Sequence, residues 1–203
     1  MQPRHVVFFV ALILFSCGSA LAQRPVPGGQ RPGPQFWRRV GCEPFEPRTK
    51  LEDLEERYGA VVIKGFTRIT TVEVRGVRVD AVEMRDMGNV TRAKGLVVSL
   101  REGGERPNEN RAFVDYEELD ALLNAIDVIT RVDETATRLP GFEAKYKTLG
   151  DFEISVFRQT QRGTAVTLTT GICDRATQGM TLDDLAKVKA MIQEAKTRLD
   201  ELR

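Results

Sequence analysis

The sequence predicts an α+β fold: two β-meander–helix repeats with antiparallel sheets and packed helices, preceded by a signal peptide and a Pro/Gly-rich linker. Three observations predict it. An apolar leader opens the chain, alternating strand patterns recur in both halves, and each half ends in a helix with a three-to-four-residue apolar stripe.

Arg4 and His5 precede an unbroken apolar run, Val6 to Phe15, and small residues end in Ala20-Leu21-Ala22. A basic start, a short greasy segment and an A-x-A site make residues 1–22 a secretory signal peptide. The run is too short to span a bilayer, and no later segment reaches the roughly 20 apolar residues that a spanning helix needs. Cleavage after Ala22 releases a secreted or periplasmic protein beginning at Gln23. Cys17, between Leu14-Phe15-Ser16 and Gly18-Ser19, leaves a lipid anchor as the alternative.

Residues 23–47 hold six of the nine prolines and Gly28, Gly29 and Gly33, a composition that favours solvated, extended backbone and reads as a linker. Phe36 and Trp37 interrupt it. Residues 48–203 form the single α+β domain, long enough to bury its own core. Thr49 and Glu52 are spaced as a capping box opening a helix over 50–58, closed by Gly59. Ile69, Val72 and Val74, then Val77, Val79 and Ala81, then Leu96, Val98 and Leu100 predict strands. A polar loop, 101–110, leads to a short strand over 111–114. Asp115, with Glu118 three residues on, is expected to cap a helix striped by Leu119, Leu122, Leu123, Ile126 and Ile129. Strands follow at about 142–148, 151–158 and 163–170. Thr181 and Asp184 open a last helix striped by Leu185, Val188, Ile192, Ala195, Leu199 and Leu202.

The halves, about 60–131 and 141–203, read as an internal repeat. Gly65-Phe66 matches Gly141-Phe142, and Gly76 matches Gly150. Lys94-Gly-x-x-Val98-Ser99-Leu100 matches Arg162-Gly-x-x-Val166-Thr167-Leu168, and the helix beginning at Asp115 matches that beginning at Thr181. A lone meander has one apolar face to cover, so two copies should share one core, with the last helix covering the second sheet.

The stretch RAKGLVVSLREGGERPNENRAFVDYEELDALLNAI, 92–126, resembles a repeat of the Pur-alpha and Whirly class, a single-strand nucleic-acid-binding fold. The resemblance implies two repeats related by a pseudo-twofold and single-stranded nucleic acid as a partner. FVDYEELDALLNAI also resembles exported bacterial proteins of unassigned function.

Composition closes several chemistries. His5 is the only histidine and lies in the leader, which removes Ser-His-Asp and Cys-His catalysis and His-ligated zinc from the mature chain. Its only serines are Ser99 and Ser155, both on expected strands. There is no P-loop, G-x-G-x-x-G or EF-hand string. No catalytic, cofactor-binding or metal residue is expected. Cys42 and Cys173 remain. In an oxidising compartment they make a disulfide that would stabilise the fold by ~5 kcal/mol in the chain-entropy model, or they stay separate thiols.

Asp115, Glu117, Glu118, Asp120 and Asp127 cluster around the first long helix. A capping and solvated role is expected, and an acid/base pair or cation site is the alternative. Glu102, Glu105 and Glu109 lack calcium-ligand spacing. Asn89-Val90-Thr91 is a glycosylation sequon.

All 29 acids and 25 of the 30 basic residues lie in 41–203, a balance of −4. Phosphate neutralisation dominates nucleic-acid affinity, so this balance argues against nucleic acid as the partner, unless Arg68, Arg75, Arg78, Arg85 and Arg92 form a local stripe. Phe66, Phe142, Tyr146, Phe152 and Phe157 are expected in the core. The sequence thus leads to an exported, non-catalytic binding or structural module with no cofactor and a macromolecular partner outside the cytoplasm. The alternatives are single-strand nucleic-acid binding and a small carboxylate-dependent enzyme. The last helix should pack within its own chain, leaving a monomer unless an outer surface mediates pairing.

Overall fold

The computed structural model describes residues 46–203 except 73, 105–107, 134, 160–162, 173 and 203. The leader, residues 23–45 of the linker, Cys17, Cys42, Cys173 and Glu105 lie outside the described residues. Those described belong to one compact unit, Val40–Arg203. None of their helices is long and apolar enough to cross a membrane.

The fold is α+β, with two antiparallel four-stranded sheets. Helix α1 (Lys50–Glu55) precedes β1 (Val62–Arg68), β2 (Val77–Asp86), β3 (Arg92–Arg101) and β4 (Glu109–Asp115), paired in that order. A 3-10 turn, Tyr116–Glu118, leads straight into α2 (Leu119–Thr130). The second half repeats the order with β5 (Phe142–Lys147), β6 (Glu153–Gln159), β7 (Gly163–Thr170), β8 (Ala176–Met180) and α3 (Leu182–Asp200).

Several elements differ from the sequence pattern. The first strand is Val62–Arg68, and Ile69 and Val74, expected within it, are buried in the connection that follows. Only Val74 retains a bridge, to Val77 across a tight turn. Ile69 also keeps one backbone bond to β2, its N–H donating to the Val79 carbonyl (3.0 Å), and the apolar character of both residues serves burial. Strand β8 was not expected, because ATQGM carries little apolar signal; its pairing with β7 supplies what its side chains do not. Helix α1 stops at Glu55, before Gly59. Leu202 lies beyond α3 and is part-exposed, while Met191 joins the buried stripe.

Alternation along β2 splits its residues between two layers. Val79 and Ala81 face the main core, and Val82 and Met84 face a smaller cluster under α1 with Leu51, Leu54, Val97 and Phe113. Gly95 makes that second layer possible. A Cβ there would run into the Val114 carbonyl and meet Leu51 Cδ1 at 2.9 Å. Its counterpart in the repeat, Gly163, has open space around it and a φ of 73°, so the shared glycine serves close packing in one half and a turn in the other.

The last helix does not lie mainly on the sheet of its own half. α3 packs chiefly on β2 and β3, while α2 lies against β5, β6 and α3. The reason is the connection. β4 runs into the 3-10 turn without a loop, and β8 reaches α3 through Thr181 alone. Each helix crosses to the other sheet, and one core holds Val79, Leu96 and Leu122 together with Ile154, Leu168 and Ile192.

Candidate functional site

Where the halves meet, a cleft of about 290 Å³ opens between α1, β4 and two connections of the second half. Glu52 and Glu55 come from α1, Glu56 from its C-cap, and Asn110, Arg111 and Phe113 from β4. Gly150, Asp151, Gly171, Ile172 and Asp174 close it. The backbone builds this join. Phe113 bridges Gly150 in antiparallel fashion, and a Cβ on Gly150 would strike the Phe113 carbonyl carbon (2.9 Å). Asn110 donates to the Asp174 carbonyl, and Asn108 to that of Arg175 (3.1 Å). Ile172 is 49% exposed at the rim, and Phe113 is buried.

Three of the cleft's carboxylates, Glu52, Glu55 and Asp151, have structural partners. Glu52 accepts from the backbone N–H groups of Arg48 (2.9 Å) and Thr49 (3.0 Å) while Thr49 Oγ1 accepts from Glu52 N, which completes the expected capping box. Glu55 reaches Lys64 of β1 (3.0 Å) and Arg111 of β4 (2.9 Å), tying α1 across the sheet. Asp151 is buried in a left-handed turn (φ 62°) and ion-paired with Arg48 and Lys147. Asp115 does not cap its own helix. Its carboxylate accepts from Lys50 N (2.8 Å) and Leu51 N (3.2 Å), closing the N-terminus of α1 from 65 residues away. Burial pushes its pKa up, although those two N–H groups oppose the shift. Glu118, the expected second capping residue, accepts instead from Leu149 N (3.0 Å) and so joins the halves.

The remaining sequence candidates are scattered. Asp127 meets Lys189 (2.6 Å) and exposed Asp120 meets Lys196 (3.7 Å), both between α2 and α3. Glu117 pairs with Lys50, which lowers the carboxyl pKa. Glu102 accepts from Thr177 N (2.7 Å), and Glu109 pairs with Arg78 (3.3 Å). Among the described residues no three His, Cys, Asp or Glu side chains gather as a metal site. Ser99 and Ser155 are buried on strands. Asn89 donates to Asp86 (3.0 Å) in the β2–β3 turn.

The arginines form no stripe. Register puts Arg68 and Arg78 on one face of the first sheet and Arg85 and Arg92 on the other. Arg68 and Arg78 meet Asp80 (3.1 and 3.3 Å), and Arg85 and Arg92 meet Glu83. Arg75 lies exposed in the turn before β2. Phe152 is fully buried, and Phe142, Tyr146 and Phe157 are half-buried, but Phe66 is 67% exposed and stands outside the expected core. It sits on the edge strand β1.

A second cleft, about 240 Å³, is lined by Lys50, Arg92, Lys94, Tyr116, Glu117 and Leu202. Its cations also do structural work. Lys94 donates to the Leu199 carbonyl (2.7 Å) and lies 4.2 Å from the Tyr116 ring, whose hydroxyl binds Asp200. No known family, curated protein or solved structure matches the chain.

Proposed function

We propose that this domain is a non-catalytic binding module acting outside the cytoplasm, and that it receives a segment of a macromolecule in the cleft between its halves. The observation that carries this reading is the engagement of Glu52, Glu55 and Asp151. Each is held by a helix N-terminus or a cation, which suits a rigid recognition surface better than a mobile acid or base. Phe113 and Ile172 supply apolar area beside this polar wall, the mix that pockets use for orientation and grip. The export half of the proposal rests on the three-part leader.

The test places a photo-crosslinking side chain at exposed Ile172 in the full chain expressed in its own host. Capture of one defined macromolecule in the exported fraction, absent when the probe stands at Thr167 on the outer face of β7, supports the reading. Equal capture at both positions, or recovery of the protein with Met1 intact, overturns it.

A further inference from the structure

Strand β1 is an edge of the first sheet. The chain's exposed large apolar residues concentrate around it. Of eleven among the described residues, Ile63 and Phe66 lie on β1, Val61 directly precedes it, and Met87 donates to the Val61 carbonyl. Exposed apolar edges are templates for strand pairing, and proteins normally blunt them. The three other edges are occupied or guarded. β4 bridges Gly150, and the β8 backbone at Thr177 is taken by Glu102. β5 carries Glu143, Lys145 and Lys147 at alternate positions. β1 is less densely charged, with Lys64 and Arg68 alone in seven residues, and both are engaged, by Glu55 (3.0 Å) and Asp80 (3.1 Å).

Hydrogen-bond alternation shows which backbone groups point outward. Met87 N donates to Val61 O (2.9 Å), and Ile69 N donates to Val79 O (3.0 Å). Odd-numbered residues of β1 therefore bond to β2. The N–H and C=O groups of Val62, Lys64, Phe66 and Arg68 face away from the sheet.

We propose that β1 pairs antiparallel with β1 of a second copy of this chain, about a twofold axis at Gly65, joining two four-stranded sheets into one. Charge and register select this occupant. With the axis at Gly65, Lys64 lies opposite the partner's Phe66 and Arg68 opposite the partner's Val62, so each outward-bonding pair sets a cation against an apolar side chain. A register two residues away in one direction sets Lys64 against the partner's Lys64. In the other direction it sets Lys64 against the partner's Arg68. Like charges directly opposite destabilise both. The strand is thus complementary to itself in one full-overlap register, as a twofold interface requires. Gly65 then faces its own copy in a non-hydrogen-bonded pair, where backbones approach closest, about 4.5 Å between Cα atoms.

The test is sedimentation of the mature chain over a concentration series, with two variants. Phe66→Pro removes an outward donor and no β1–β2 bond, so its circular dichroism should match wild type. Its self-association should weaken at least tenfold. Gly65→Cys has room for the new Cβ, whose nearest neighbour is Glu83 O at 4.0 Å. Under mild oxidation this variant should form a dimer linked by a disulfide between the two introduced thiols, identified by peptide mass, because the twofold brings the two positions within disulfide range. A concentration-independent monomer, a dimer indifferent to Phe66→Pro, or a Gly65→Cys protein that gives no such linkage would each overturn the proposal.

Discussion

Asp86 ends β2 as a buried carboxylate ringed by donors. The Asn89 amide, the Arg57 guanidinium (2.9 Å) and Gly88 N (2.8 Å) hold its pKa at about 2, below the ordinary Asp value of 3.8. A depressed carboxylate binds fewer protons in the folded chain than in the unfolded one. Its contribution is therefore complete above about pH 4 and fades as the pH falls through 2. Denaturant titrations of wild type and Asp86→Asn at stepped pH should show a stability gap that is wide near neutrality and narrows as the pH falls through the folded-state pKa. A gap of constant size across that range would mean the ionised form is not what the turn binds. The Asx-type spacing of Asp86, Gly88 and Asn89 is visible in the sequence. The Arg57 partner, 29 residues away, is not.

At the scale of elements, α3 shows how periodicity and packing divide the work. Its stripe and its Thr181 cap are local features, and the cap forms as spaced, with Thr181 Oγ1 accepting from Asp184 N (3.2 Å). The target of the stripe is not local. Leu185, Val188, Met191, Ile192, Ala195 and Leu199 are buried, and the helix lies chiefly on β2 and β3. Ile192→Ala should cost ~2–5 kcal/mol as a lost core side chain. Because Ile192 belongs to the core that both halves share, equilibrium unfolding should stay a single transition by circular dichroism and by the signal of Tyr58, Tyr116 and Tyr146 in a Trp37→Phe background. Two separated transitions would show that the sheets are stabilised independently.

For the whole molecule, exchanged helices predict interdependence of the halves. A chain ending after Thr130 lacks α3, which leaves the apolar face of β2 and β3 uncovered, and a chain starting at Phe142 lacks α2 under β5 and β6. Neither fragment should fold alone, whereas the two mixed should regain the far-ultraviolet spectrum of the intact chain. Native-like signal from either fragment by itself would place each core within its own half. The join adds specific links that neither fragment keeps, among them Phe113 to Gly150 and Glu118 to Leu149.

The sequence by itself determined the α+β class, the two meander–helix halves and the capping boxes or caps at Thr49 and Thr181, because period and capping act over a few residues. It also determined that His5 is the only histidine and that Ser99 and Ser155 are the only serines after residue 22, since composition does not depend on folding. Only the tertiary structure decided that α3 crosses to the first sheet, that Asp115 caps α1, that the arginines split between two faces, and that Phe66 stands in solvent. Each of these depends on residues distant in the chain, and their juxtaposition follows from loop-free connections and from glycines such as Gly95 and Gly150. At those two positions another segment lies where a side chain would have to be. A local pattern can mark a residue as glycine, cation or aromatic, but what lies opposite it is set by how the sheets and helices close on one another.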